Sequence, residues 1–535
     1  MTAAASEPRE SSAPELSRAR RAPGRHLRSS PLAAAAVALV LTLLARLPAR
    51  SLPLEGDAVA YGALARALAH GEGYTIDGVP HDKYPPLWPA IVAVPVVLGS
   101  TVTSAERGVA WALGGLASAL TVWLGARLAR GRLSLPLLVA LTAFHPALAL
   151  FAGGLVPGSE AATLCVGLAV ASLGLSRRRT AGVVALGLAG LLPLLRFDAL
   201  PFALAALACG WMRAEAGSSR WRDRGLACLL TIGPLLAWLV RTWIVAGSPL
   251  GHGYDAHVLR WGRVPGNLLV LAGFVLPAAG LGVLWPFVPR GLKAMWSAPV
   301  ADRLAVRAML VAVAAQLGGL AFLAGPGRGG GDVLAWSSGS LRFGLAVVPL
   351  VLASGLLGLE AAPRKVARLV GAMAVALAVP LGVYLVAGGL QRALPVRPAA
   401  AARLHALAEA FDRAAAEAGP RDWIAIDLER RTNAGVEVFL GDRAPSRRTG
   451  VVAADPATPV GRFPRPAVLP MADGFPKGGQ VILVTDRILD GVIYTGDRPD
   501  WKVGGQGIFH RVLWTTVDGG AAGRYDLHYV RRPSK

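Results

Sequence analysis

The chain has 535 residues, of which 54% are hydrophobic and only 16% charged, with a mean hydropathy of +0.49. Soluble domains carry about 25% charged residues, so a fully water-soluble fold is excluded for most of the length. The formal net charge is +22, but the arginines gather in short runs between apolar stretches, which is a pattern of membrane topology and not of a nucleic-acid surface.

Residues 1–30 are rich in Pro, Ser and Ala and hold six arginines between Arg9 and Arg28. This composition predicts a disordered basic cytoplasmic tail lying near anionic headgroups. The first apolar run, 31–49, has no A-x-A-like cleavage signal after it and reads as a retained span. A helix needs about 20 apolar residues to cross the hydrocarbon core. Candidate runs fall at 31–50, 104–126, 133–152, 159–175, 180–195, 199–212, 225–246, 266–288, 304–324, 343–359 and 366–389, of which 180–195 and 199–212 are short. The three cysteines, Cys165, Cys209 and Cys228, all lie in apolar stretches, so neither a disulfide frame nor a zinc site is expected.

Orientation follows from the basic connections. Arg127–Arg132, Arg177–Arg179, Arg213–Arg224, Arg290–Arg303 and Arg364–Arg368 join the tail on the cytoplasmic side. The loops 51–103, 153–158, 196–198, 247–265 and 325–342 are then external. Residues 86–99 are apolar but short, and they hold Pro86, Pro89 and Pro95. Counting them as a span would put Arg127–Arg132 outside, so they are expected to be re-entrant or interfacial. After 389 the character changes. Residues 398–418 predict an amphipathic helix with Leu404, Leu407, Phe411 and Ala415 on one face, stopped by Gly419-Pro420. Strand-like runs follow at Trp423–Leu428, Gln480–Thr485, Val512–Val517 and Tyr525–Val530. The expected fold is an α-helical polytopic membrane protein with about eleven transmembrane helices, N-terminus inside and C-terminus outside. Residues 31–389 form its membrane domain and residues 390–535 a small external (periplasmic) α/β domain.

The first external loop, 51–103, carries the most chemistry. Asp57 stands at the outer end of the first span. Residues 57–70 read as an amphipathic helix that Asp57 can cap, with Tyr61, Leu64 and Leu68 at helical spacing. Gly71–Gly73 breaks it, and His81, Lys83 and Tyr84 lead into Pro85-Pro86, which forces an extended turn. The charge rule puts Glu160, Arg196, Asp198 and Arg342 on the same face as Asp57. Ionisable groups at the bilayer are candidates for function by default.

An Asp at the end of span one, a helix with Tyr61 four residues on, the run Ala65 to Tyr74 with its Gly71 and Gly73, and then Pro85-Pro86-Leu87-Trp88-Pro89 resemble the GT-C superfamily of membrane glycosyltransferases, in its protein O-mannosyltransferase and aminoarabinose-transferase branch. The resemblance implies transfer of a sugar from a polyprenyl-phosphate carrier to an acceptor on the external face. Ser159-Glu160 sits where the family often carries a second acid. Arg342-Phe343-Gly344 with Pro349 is similar to a segment whose Arg faces the carrier phosphate. Many members have a second acid beside the first, whereas Ala58 follows Asp57 here, so a metal site on adjacent carboxylates has no support and a divalent cation stays open.

Such a transfer needs a base for the acceptor proton and a cation for the departing phosphate. Asp57 is the expected base, Glu160 its partner, and Arg342 the cation, since a guanidinium fork matches phosphate geometry. Tyr61, His81, Lys83, Tyr84, Arg196 and Asp198 are further candidates for binding substrate. Each has a plainer reading. Glu160 can cap a helix, Arg196 and Asp198 can pair with each other, Arg342 can snorkel to the interface, and His81 and Lys83 can be ordinary loop polarity. The expected partners are a polyprenyl-phosphate sugar donor, a lipid, glycan or protein acceptor, and the bilayer of a bacterial inner membrane, with no nucleic acid. A transporter or flippase is the rival function; it would place its charges at mid-depth and show repeated halves, which the sequence does not. An assembly factor would leave the loop motif unexplained.

Overall fold

The computed structural model describes residues 30–47, 57–76, 79–129, 134–148, 158–176, 178–214, 220–249, 264–297, 300–323, 342–386, 416, 423–427, 448–451, 480–485, 510–518 and 524–531. The expected helix over 398–418 and loop 325–341 lie outside these residues, as do the side chains of Arg342 and Phe343.

The helical part begins with α1, Pro31–Ala45, where the Ser30 hydroxyl accepts from the Leu32 amide at 3.3 Å and Pro31 opens the first turn. Helix α2 is Asp57–Ala69 and α3 is Leu87–Val97. Helix α4, Val102–Ala129, has 28 residues, about 42 Å at the usual rise and so longer than a hydrocarbon core. Next come α5 (Leu135–Ala143), α6 (Ser159–Gly174), α7 (Arg179–Leu195), α8 (Leu200–Ala214) and α9 (Arg220–Ala246). Helix α10 runs Val264–Ala279 with a π-turn at Leu271–Val275. The helical series closes with α11 (Val288–Trp296), α12 (Val300–Leu323), α13 (Val348–Glu360) and α14 (Arg364–Val386).

The chain is a multi-pass membrane protein. Among the described residues, α4, α9 and α14 are long and apolar enough to cross a bilayer, and shorter apolar helices accompany them. Leu229 and Ile244 of α9 and Leu369 of α14 face outward, 66%, 79% and 63% exposed, as lipid-facing side chains do. Inside, Leu138, Leu141, Leu164, Leu284, Leu352 and their neighbours make one continuous core. Trp111 of α4 donates to the Leu43 carbonyl of α1 at 2.9 Å and ties the first span to the fourth helix.

Segment 86–99 is the short helix α3, whose 11 residues reach only about 16 Å and do not span. Two expected spans are interrupted. The run 133–152 breaks at Phe144-His145, because Pro146 has no amide to continue the ladder, and is helical again over 146–148. The run 266–288 is not one helix: it ends at Ala279, turns through Leu281 (φ 55°) and Gly282 (φ 69°), and restarts as α11 after Trp285–Phe287. Pro277, Gly280, Pro286 and Pro289 account for the break, which hydropathy does not register.

Two strands, β1 (Thr75–Ile76) and β2 (Val79–Pro80), form a small antiparallel hairpin in the α2–α3 loop. C-terminal to the helices, β3 (Trp423–Asp427), β4 (Arg448–Val451), β5 (Gln480–Thr485), β6 (His510–Asp518) and β7 (Arg524–Arg531) make a five-stranded sheet in the order β4-β3-β5-β7-β6. β3 runs parallel to β4 and β5, and β7 runs antiparallel to β5 and β6. The four expected strand runs fall on β3, β5, β6 and β7, with Leu428 outside the described residues, and β4 was not expected.

Candidate active site

Helix α2 is Ala-rich and buries Ala60, Tyr61, Leu64 and Ala65 against α3 and α4. It ends in a Schellman turn. Gly71, at φ 76°, donates to Leu68 and Glu72 donates to Ala67, at 3.2 and 2.9 Å. Helix α3 stops the same way at Gly99, φ 94°. Between them the hairpin is extended by a bond from the His81 amide to the Tyr74 carbonyl, 2.9 Å.

That loop is clamped from below by α9. Arg241 donates to the His81 carbonyl at 2.6 Å and stacks over Trp238, whose ring meets Tyr74 edge-on at 5.3 Å. The Tyr74 hydroxyl lies 2.9 Å from the Tyr84 carbonyl. The buried His81 ring accepts from the Tyr84 amide at 3.2 Å and stacks on the Tyr84 ring. Burial pulls the His81 imidazole down to about 4; Asp82 opposes this, while Lys83 and Arg241 add to it. His81 is therefore neutral near pH 7 and organises the turn from within.

The turn delivers Tyr84 to Asp57. The Tyr84 hydroxyl donates to Asp57 Oδ1 at 2.9 Å and accepts from Lys83 Nζ at 3.1 Å. Tyr61 packs on Tyr84 with centroids 4.8 Å apart. Asp57, Tyr61, Lys83 and Tyr84, all expected site residues, thus form one cluster.

A second cluster lies beside it. Arg196, between α7 and α8, donates to Glu160 Oε1 at 2.5 Å and to Asp198 Oδ1 at 2.9 Å, with a further contact to Asp198 Oδ2 at 3.3 Å. The Glu160, Arg196 and Asp198 side chains are 4%, 13% and 17% exposed. Both the pairing of Arg196 with Asp198 and the gathering of Arg196 with Glu160 are present, so the three form one group of two carboxylates around one guanidinium. Tyr61 stands within electrostatic range of Arg196, and Ala162 and Leu195 share its apolar cluster, which joins the two groups.

Sequence reasoning did not single out Glu106. It is buried near the start of α4 and accepts from Trp88 Nε1 with both oxygens at 2.9 Å, and from the Gly158 amide at 3.1 Å. A Cβ at Gly158 would overlap the Trp88 ring. Trp88 thereby links α3 to the start of α6, which carries Glu160. The signal was present as an acid inside an apolar run, but counting 104–126 as a span hid it. Arg241 was hidden in the run 225–246 in the same way. Arg342 opens a 3-10 turn, Arg342–Val347, whose Leu345 and Val347 pack in the core with Leu164 of α6. Among the described residues no group of three or more His, Cys, Asp or Glu side chains is placed to hold a metal ion.

The order of the helices and the α2–α3 loop give the chain a fold similar to that of a solved membrane protein. The structure of ArnT from Cupriavidus metallidurans in the apo state matches with a TM-score of 0.56 at 12% identity, covering 92% of this chain and 97% of that one. An oligosaccharyltransferase from Archaeoglobus fulgidus, crystallised with zinc and sulfate, matches with a TM-score of 0.44 at 14% identity over 78% of this chain and 62% of its own. No protein-family model and no curated protein sequence matches the chain.

Proposed function

We propose that the chain is a membrane glycosyltransferase that moves a monosaccharide from a polyprenyl-phosphate carrier to a lipid, glycan or protein acceptor on the external face of a bacterial inner membrane. The observation that carries this reading is the placement of Asp57, held by Tyr84, whose hydroxyl also accepts from Lys83, beside the Glu160–Arg196–Asp198 group in a fold similar to that of ArnT. Asp57 takes the proton of the acceptor hydroxyl as its oxygen attacks the anomeric carbon. The bond from that carbon to the phosphate oxygen breaks, and the carrier phosphate leaves with the electron pair, so a single displacement inverts the centre. Lys83 and Arg342 are the cations assigned to that phosphate. Glu160, with Arg196 and Asp198, orients the acceptor. The sheet-bearing segment 390–535 lies on the same external side and is assigned to acceptor recognition.

The three acids of the two clusters stand at helix ends: Asp57 in the first turn of α2, Glu160 in the first turn of α6, and Asp198 between α7 and α8. A transporter path would need them at mid-depth, so this placement favours the enzyme. The test is transfer of radiolabelled sugar from polyprenyl-phosphate donors in membranes holding equal amounts of wild type and Asp57→Asn, with and without a chelator. A general base contributes about 10²–10⁴-fold, so the variant is expected to lose at least about 100-fold. Equal transfer by both would remove Asp57 as the base; no transfer by the wild type with any donor would remove the reaction itself.

A further inference from the structure

A cavity of about 640 Å³ lies inside the helical body, away from the Asp57 cluster. Helices α4, α6, α7, α8, α9, α12 and α13 wall it, largely with Ala, Gly, Leu and Val. Its upper end is at Thr163, one turn along α6 from Glu160, and its lower end is at Ser176, Arg178, Arg179 and Asp223. The basic connections assign that lower end to the cytoplasmic face.

The wall offers little to water. The Thr121 and Thr163 hydroxyls already donate to the carbonyls of Ala117 and Ser159, each at 2.8 Å. A buried water needs two to four polar partners, and between Thr163 and the charged mouth the wall supplies few. The volume is in the range of ligand pockets. The glycines of the wall say more. A Cβ at Gly167, Gly174 or Gly182 would meet nothing within 4 Å, so no neighbouring helix demands glycine there. Glycine is the poorest helix-interior residue after proline, and here its effect is to keep the lumen wide. Gly210 of the wall is the contrast: a Cβ there would press on the Leu186 side chain at 3.0 Å, and outside the wall Gly190 is closer still, against the Leu230 carbonyl.

Charge marks only one end. Arg179 pairs with Asp223 at 2.7 Å, and Arg178 lines the same mouth, leaving an excess of positive charge at an apolar opening. We infer that this cavity holds one acyl chain of an anionic phospholipid from the cytoplasmic leaflet, with the lipid phosphate at Arg178 and Arg179. The polyprenyl carrier is a poorer fit, because its phosphate belongs at the Asp57 face, at the far end of the cavity. The inference shares the orientation used above but does not depend on sugar transfer.

Native mass spectrometry of the full purified chain, titrated with phosphatidylglycerol or phosphatidylcholine, tests it. The wild type is expected to retain one phosphatidylglycerol, with a preference of about 10-fold over phosphatidylcholine. Arg178→Gln with Arg179→Gln should erase the preference. Gly167→Leu with Gly182→Leu should fill the lumen and abolish retention, while Gly167→Ala with Gly182→Ala keeps it. Equal retention of both lipids by the wild type, retention by the leucine variant, or one-for-one displacement by polyprenyl phosphate would each overturn the assignment. If the leucine variant fails to fold, the arginine pair and the lipid ratio decide.

Discussion

Tyr84 uses its hydroxyl in two directions, donating to Asp57 and accepting from Lys83. It therefore sets both the position of a carboxylate and the distance of a cation from it. Tyr84→Phe keeps the ring stack on Tyr61 and His81 but removes both bonds. Hydrogen bonds to charged groups contribute about 1.5–3 kcal/mol, so transfer is expected to fall about 10- to 100-fold with the fold intact. Unchanged activity in Tyr84→Phe would show that Asp57 is positioned by other contacts. His81, two steps of contact away, gives a pH signature. Its folded value of about 4 lies below the usual 6.5, so between those values the unfolded chain binds a proton that the folded chain does not. Stability contributed by neutral His81 is full above about 6.5 and is lost as pH falls towards 4, by up to about 3 kcal/mol. His81→Gln can still accept from the Tyr84 amide, and its melting temperature should fall less than that of the wild type between pH 7 and 4. Parallel curves for the two proteins would refute the assignment. The candidate residues were readable because acids, tyrosines and a Pro-Pro turn stand out in an otherwise apolar loop; the contacts of His81 were not, since nothing in the sequence says which way a loop histidine faces.

At the scale of elements, the link between the first loop and Glu160 is the Trp88–Glu106–Gly158 contact. Trp88 is fully buried, and α3 reaches α6 through it. Gly158→Ala would push its Cβ into the Trp88 ring, and overpacking of this kind costs about 1–3 kcal/mol. The start of α6 must then shift, and Glu160 and its bond to Arg196 shift with it. The expected result is a lower melting temperature together with a loss of transfer; Trp88→Phe trims the ring but also removes the bond to Glu106, so the double variant should lose less than the sum of the two single losses. Additive losses in the double variant would show that the two residues act separately. Most helices were legible in outline, since hydropathy finds apolar runs such as 180–195 and 366–389, which became α7 and α14. Where a run is apolar throughout, as at 266–288, periodicity carries no information about continuity, and only Pro277, Gly280 and Pro286 foretell the break. The strands were found because β-branched runs such as Gln480–Thr485 differ sharply from the Ala-rich segment before them.

For the whole molecule, the distribution of arginine in the sequence and the packing of helices lead independently to one sidedness. Basic runs put the loops holding Asp57, Glu160 and Arg196 on a common face, and the structure brings those residues into two adjoining clusters. The absolute direction rests on the basic runs alone and can be measured. In a background carrying Cys165→Ala, Cys209→Ala and Cys228→Ala, Glu72→Cys reports the α2–α3 loop and Thr180→Cys the start of α7, both at exposed positions. A membrane-impermeant maleimide added to intact cells, with the outer barrier made permeable, is expected to label Glu72→Cys at once and Thr180→Cys only after the inner membrane is opened. The reverse pattern would place Asp57 and the Arg196 group in the cytoplasm. A carrier sugar would then be consumed on the side where nucleotide-linked sugars are also at hand, and the reason for using a lipid donor would disappear. Labelling direction therefore bears on the reaction as well as on topology, because a polyprenyl-phosphate donor is needed where soluble activated sugars do not reach.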